Sequence, residues 1–361
     1  MKKFLALVLA LCMLFALVAC SSTAKETTST EAASASAAGS QAVEASTAAA
    51  TSSAAASASA SASASASGSA KTDPSQITIG FSSKDNSDTF VKNISDAAIA
   101  KADELGVKLI MSDAMGDVNT QISDVENFIA MQVDAIIVIP QSVEGSAPVV
   151  SMCNDAGIPI IVCNGDIADK NFTAFVGCTD QESGEILGTW MMENLPKGSN
   201  VCIIEGPMGQ SGQVGRYAGF KAVGMLDYFN VLAVQTANWK RDEAMALAED
   251  WLTTYGDKLN AIICENDDMG LGALSACQAA GRDDVVVGGV DAIADAVQAV
   301  KAGTYGISVL QDSAGQGGGS VDVAVKIVMG EDYEKDTRIP FIGITKDNVD
   351  AYLQGGVAAI S

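Results

Sequence analysis

Short, predominantly apolar runs, most of them followed by a segment with helical spacing, recur along this chain and leave it few folds to choose from. Ile77-Thr78-Ile79-Gly80-Phe81, Lys108-Leu109-Ile110-Met111, Ala135-Ile136-Ile137-Val138-Ile139, Ile158-Pro159-Ile160-Ile161-Val162 and Ala174-Phe175-Val176 read as strands, with helical patterns over 89–105, 120–131 and 148–156 between them. The series then restarts. A helix over 184–194 leads to Val201-Cys202-Ile203-Ile204 and a helix over 215–226. Further strands are Val231-Leu232-Ala233-Val234, Ala261-Ile262-Ile263-Cys264, Val285-Val286-Val287-Gly288 and Gly306-Ile307-Ser308-Val309, separated by helices over 241–255, 270–280 and 293–302. Strands apolar on both faces belong inside a parallel sheet covered on both sides, and the intervening helices provide the cover. Two such series predict an α/β protein of two Rossmann-like, doubly wound lobes.

The start of the chain follows another logic. Lys2 and Lys3 precede an almost wholly apolar stretch from Phe4 to Val18, shorter than the roughly 20 residues a membrane-spanning helix needs. It fits the h-region of a signal peptide over 1–20. Leu17-Val18-Ala19-Cys20 resembles the lipobox of bacterial lipoproteins, which implies acylation of Cys20 and a body tethered to the outer face of a membrane. The alternative is an ordinary secretory signal cut near Ala19. Residues 21–75 are nearly all Ser, Ala and Thr, with too few large apolar side chains to offset the entropy of ordering. They read as a disordered linker with a reach on the order of 40 Å. Alanine helix is the alternative there, and the interleaved serines weaken it. A lipid anchor with a long linker is most useful where no outer membrane retains a free protein, which favours a Gram-positive surface.

Composition removes several function classes. A formal charge of −23 argues against a nucleic-acid partner. The chain contains 0 histidines, which excludes His-based triads, histidine general bases and the commonest zinc ligand. The body cysteines Cys153, Cys163, Cys178, Cys202, Cys264 and Cys277 form no C-x-x-C pair. Cys163, Cys202 and Cys264 lie inside apolar runs, so free, buried thiols are expected. An even number in an exported protein leaves disulfides as the alternative.

In doubly wound sheets ligands sit beyond the carboxyl ends of the strands, and those ends carry one kind of chemistry. The first strand is followed by Lys84-Asp85-Asn86-Ser87-Asp88-Thr89-Phe90, and Val162 by Cys163-Asn164-Gly165-Asp166. Ile204 leads into a glycine-rich loop holding Gln210 and ending at Arg216; later ends supply Trp239, Glu265-Asn266-Asp267-Asp268, Asp291 and Gln311-Asp312. Amides, carboxylates and a guanidinium engage adjacent hydroxyls in paired hydrogen bonds, and flat rings cover the apolar face of a sugar. Each residue alone has a plainer reading: Asn266 as a helix cap, Arg216 as a surface charge. The repetition at separate strand ends favours a site for a neutral polyhydroxylated ligand.

Val176-Gly177-Cys178-Thr179-Asp180-Gln181-Glu182-Ser183-Gly184, Thr236-Ala237-Asn238-Trp239, Glu265-Asn266-Asp267-Asp268-Met269-Gly270-Leu271-Gly272-Ala273, Gly289-Val290-Asp291-Ala292 and Ile344-Thr345-Lys346-Asp347-Asn348 carry a resemblance. From Thr78 to Asn348 the chain resembles the type 1 periplasmic binding proteins of sugar ABC transporters, closest to the galactose/glucose binders and next to the ribose binders. The resemblance implies that Asp88 is the first-loop carboxylate, Phe90 and Trp239 the stacking rings, and Asn164, Arg216, Asn266, Asp291 and Gln311 the remaining polar contacts. Trp239 and Asn164 follow the hexose pattern, whereas Gln311 is the ribose-binder choice. Gln210 and Gly212 stand where the galactose binder has histidine and aspartate. Asn194-Leu195-Pro196-Lys197-Gly198-Ser199-Asn200 carries no carboxylate, so the family's calcium is not expected.

The implied organisation is an N-terminal lobe of residues 76–180 with 313–338 and a C-terminal lobe of 181–311 with 341–361. Hinge crossings are expected near 178–181, 310–313 and 338–344. Gly315-Gln316-Gly317-Gly318-Gly319-Ser320 lacks the Lys-Ser or Lys-Thr of a phosphate loop and suits a helix starting close to a hinge. Asp267-Asp268 could suggest a glycosidase pair, but sequence neighbours rarely flank one bond. The implied function is capture of a monosaccharide, a hexose such as galactose or glucose first and ribose or a cyclitol such as inositol second. Lobe closure then presents it to a membrane permease. A monomer, no cofactor and no catalysis are implied. An exported carbohydrate-active enzyme and a purely sensory protein are the rivals; a repressor of the same fold would need a DNA-binding helix pair where the signal peptide stands.

Overall fold

The computed structural model describes Lys71–Ser361; the signal segment, Cys20 and the Ser/Ala-rich stretch up to Ala70 lie outside the described residues. The first series consists of β1 (Thr78–Ser83), α1 (Thr89–Leu105), β2 (Lys108–Asp113), α2 (Val118–Ala130), β3 (Ala135–Val138), α3 (Pro148–Ala156), β4 (Ile160–Asn164) and β5 (Ala174–Gly177). The second runs α4 (Asp180–Asn194), β6 (Asn200–Glu205), α5 (Ser211–Ala222), α6 (Met225–Tyr228), β7 (Asn230–Thr236), α7 (Arg241–Tyr255), β8 (Ala261–Cys264), α8 (Asp267–Ala279), β9 (Val286–Asp291), α9 (Ala294–Ala302) and β10 (Ile307–Leu310). The chain ends in α10 (Ser313–Met329), β11 (Asp336–Arg338), β12 (Ile342–Ile344) and α11 (Val349–Gly355).

The strands form two six-stranded sheets, ordered β11-β5-β4-β3-β1-β2 and β12-β10-β9-β8-β6-β7. All pairings are parallel except β10 with β12. The two-lobed α/β class expected from periodicity is the one observed. Its cause is visible in β3 and β4, whose residues are buried on both faces, as only a sheet sandwiched between helix layers allows.

The chain passes between the sheets three times: from β5 to α4 through Cys178 and Thr179, from β10 to α10 through Gln311 and Asp312, and from β11 to β12 through Ile339, Pro340 and Phe341. Helix α10 returns to the first lobe and lies against α1. A Cβ on Gly317 would stand 2.1 Å from the carbonyl oxygen of Ile94, so Gly317 lets α10 pack closely against α1.

Several boundaries differ from those expected. Lys71–Ser75 belong to the body instead of the linker: Lys71 Nζ pairs with Asp134 at 2.6 Å, and Asp73 caps the turn Pro74–Gln76. A long-range ion pair leaves no trace in local composition. The helix read over 215–226 starts earlier, at Ser211, and is split in two because Gly224 takes a left-handed turn at φ 79. Strands β11 and β12 have only three residues each, and Asp336-Thr337-Arg338 offers no apolar run. All six body cysteines are free and buried. Burial pushes the Cys153, Cys163 and Cys202 thiols up to about 12, which makes them inert.

Candidate functional site

The carboxyl ends of both sheets open onto one pocket between the lobes. It is lined by Lys84, Asp88, Phe90, Asn164, Asp180, Ser211, Gly212, Arg216, Trp239, Asn266, Asp291 and Gln311. The lobes touch across the cleft, where the Val143 amide donates to the Gly209 carbonyl at 3.2 Å and Lys84 Nζ reaches Gln210 Oε1 at 3.4 Å. The space among these side chains, part of it open to solvent, is about 320 Å³.

The first lobe supplies its residues from helix starts and strand ends. Asp88 is the N-cap of α1, with Oδ1 accepting from the Phe90 amide at 2.8 Å and the Val91 amide at 3.2 Å. That capping bond places Phe90 in the first helical turn, buried at the pocket wall. Asn164 ends β4 with φ 66, and its Nδ2 donates to Gln316 Oε1 at 2.9 Å.

The second lobe is more tightly knit. Arg216, on α5, donates from Nη1 to the Glu265 carbonyl and from Nη2 to Gln311 Oε1 at 3.1 Å, and Nη2 lies 3.5 Å from Asp291 Oδ1. Its guanidinium also stands 5.4 Å from the centre of the Trp239 ring, within the range of a cation–π contact. Trp239 has φ 65 and donates from Nε1 to Gln210 Oε1 at 2.7 Å. Its ring lies on Gly206, where a Cβ would come within 2.0 Å of it. Asn266 caps α8 through Met269 N at 2.9 Å while also facing the pocket. The cap reading of Asn266 and a place at the pocket are therefore compatible, and Asp88 likewise caps α1 while lining the pocket.

Three buried polar atoms in this pocket have no hydrogen-bond partner: Arg216 Nε, Gln311 Nε2 and Asp291 Oδ1, the last of which has only the longer ion-pair contact with Arg216. Such groups are rare in folded proteins, and each is costly when left unpaired. Together they offer two donors and one acceptor. Burial holds the carboxyls of Asp88, Asp180 and Asp291 above the ordinary carboxylate range, against the opposing pull of Lys84 on the first, and of Arg216 and Lys84 on the other two. The arrangement can bind and orient hydroxyls. The adjacent acids do not converge on one bond: Asp267 is buried in the lobe, whereas Asp268 pairs with Arg241 at 2.7 Å. Among the described residues, no group of three or more His, Cys, Asp or Glu side chains could hold a metal ion.

The structure brings together Asp88, Phe90, Asn164, Arg216, Trp239, Asn266, Asp291 and Gln311, and places Gln210 in an adjoining cavity that shares Lys84, Asp88 and Trp239 with this pocket. Gln210 Oε1 takes the Trp239 indole N–H and faces Lys84, so it supports the ring. Lys84, Asp180 and Ser211 were not singled out from sequence. Lys84 stands in the same strand-end loop as Asp88, which was a usable signal. Asp180 and Ser211 open helices at points that only the meeting of the two lobes turns into pocket wall.

The profile of the periplasmic binding protein domain matches residues 79–332. The xylitol-binding protein of Mycolicibacterium smegmatis is 36% identical over 250 residues, covering 69% of this chain and 71% of that protein. The ribose import binding protein of Haemophilus influenzae is 31% identical over 264 residues, 73% of this chain and 88% of the other. The solved structure of an ABC transporter solute binding protein from Bacillus halodurans with bound myo-inositol matches with a TM-score of 0.73 at 38% identity, covering 78% of this chain and 99% of that one. Ribose binders stand among the relatives; a special closeness to galactose/glucose binders does not emerge from these three. The chain is a binding protein and not an enzyme, and it belongs to the type 1 periplasmic binding protein family.

Proposed function

We propose that this protein captures a neutral polyhydroxylated small molecule in the interlobe pocket and hands it to the permease of an ABC transporter. The observation that carries this reading is the trio Arg216 Nε, Asp291 Oδ1 and Gln311 Nε2, buried without hydrogen-bond partners in a pocket that Phe90 and Trp239 also line. A ring of hydroxylated carbons presents hydroxyls at its edge to such a trio and apolar faces to the two side chains. A six-membered ring suits this best, with myo-inositol placed before a hexose because of the similarity to the myo-inositol-bound structure. Gln311, the ribose-type residue, and the ribose- and xylitol-binding relatives favour pentose-sized ligands as the second choice.

Thermal shift of residues 71–361 against inositols, hexoses, pentoses and alditols tests this. Binding of one raises the melting temperature by mass action; no shift with any of them removes the reading. The location at the outer face of a membrane rests on Lys2, Lys3, the apolar run and Cys20. Metabolic labelling with a fatty acid should mark the wild-type chain and not Cys20→Ala.

A further inference from the structure

Asp267 is the first residue of α8, yet it is fully buried while its neighbour Asp268 faces Arg241. Its carboxylate accepts from Ser308 Oγ at 2.6 Å, from Tyr305 Oη at 3.2 Å and from the Ile293 amide at 3.2 Å. Ser308 Oγ in turn accepts from the Ala292 amide at 2.9 Å. Two consecutive backbone N–H groups therefore end on one carboxylate, the first through a hydroxyl.

Those two amides directly follow Asp291. Asp291 has φ 123 and Ala292 has φ 54, a region that side-chain-bearing residues avoid unless their surroundings over-determine it. Asp291 forms the pocket wall beside Arg216, whereas Asp267 is not among the pocket-lining residues. We propose that Asp267, through Ser308 and the Ile293 amide, is a positioning residue for ligand capture, holding the strained Asp291–Ala292 turn so that the Asp291 carboxylate faces the pocket. The ligand part of this rests on the function proposed above; the turn-holding part does not.

Ser308 and Tyr305 allow a clean separation, because each gives Asp267 one hydroxyl hydrogen bond but only Ser308 continues to the turn. In the full-length protein, Ser308→Ala and Tyr305→Phe are compared by calorimetric titration with myo-inositol and ribose, and by NMR amide exchange at Ala292 and Ile293 without ligand. Ser308→Ala should weaken affinity at least tenfold and speed exchange at Ala292, while Tyr305→Phe, with a similar drop in melting temperature, keeps affinity within twofold and exchange at Ala292 unchanged. Wild-type exchange at Ala292 in Ser308→Ala, or an equal affinity loss in Tyr305→Phe, would overturn the proposal. If Ser308→Ala does not fold, Ser308→Cys keeps the volume, weakens the acceptor and decides by the same two readings. Should the wild-type chain bind neither probe, the exchange result still judges the turn, and the failure falls on the ligand assignment alone.

Discussion

The two walls of the pocket are built differently. On the first-lobe side, Asp88 is occupied in capping α1 and Asn164 donates to Gln316, so these polar groups already have partners within their own lobe. On the second-lobe side, Arg216 contacts both Asp291 and Trp239, and Arg216 Nε and Asp291 Oδ1, which lack hydrogen-bond partners, belong to this wall, with Gln311 Nε2 at the adjoining crossing. Positive φ occurs on both walls, at Asn164 in the first lobe and at Trp239 and Asp291 in the second. The second lobe thus holds most of the unspent hydrogen-bonding capacity, and the first lobe completes the enclosure with a ring and a helix start.

The largest effect should come from cutting the second-lobe pair. Arg216→Ala or Asp291→Ala leaves a buried charge without its partner, a change of about 3–5 kcal/mol in buried ion pairs, and calorimetry should find ligand binding reduced by a hundredfold or more. Tight binding retained in both would break the comparison. Next comes Trp239→Ala, which removes a ring, its contact with Arg216 and its seat on Gly206; a loss of roughly ten- to a hundredfold is expected, at about 1.4 kcal/mol per tenfold. Asp88→Ala on the opposite wall should act first on stability. Loss of an N-cap costs about 1 kcal/mol, visible as a melting temperature lower by a few degrees, with the smaller affinity loss. An Asp88→Ala variant that binds as weakly as Asp291→Ala would show that the walls share the load equally.

The mildest expected effect is one of pH. Burial raises the carboxyls of Asp88, Asp180 and Asp291, and it lifts Asp267 from the ordinary 3.8 to about 7. Between those values folded Asp267 holds a proton that the unfolded chain has released, so it favours the fold below about pH 4 and loses that contribution as pH rises through 7, and the raised Asp88, Asp180 and Asp291 carry the same sign. Melting temperature should be higher at pH 5.5 than at pH 8. The opposite slope would mean that other groups govern stability and that burial at the second-lobe wall is overstated.

Periodicity was sufficient for the architecture because β3 and β4 are apolar on both faces and only one kind of sheet accepts such strands. It failed at β11, where Asp336-Thr337-Arg338 becomes a strand by pairing with β5, and at Lys71, which joins the body through Asp134. The strand-end rule and the family resemblance located Asp88, Phe90, Asn164, Arg216, Trp239, Asn266, Asp291 and Gln311, because ligand-facing positions in this fold follow strand termini. Gln210 shows what the rule leaves open, since it both lines the adjoining cavity and braces Trp239.

The sequence by itself determined two doubly wound lobes and the chemical character of the groups at their strand ends, since both depend on local patterns of apolar and polar residues. Tertiary structure alone decided which of those groups remain unpartnered, that Gln210 serves Trp239, and that Asp267 is a buried hub while Asp268 is a surface ion pair. These outcomes depend on residues tens to more than a hundred positions apart meeting in space, and on the desolvation that follows. Spacing along a chain encodes neither.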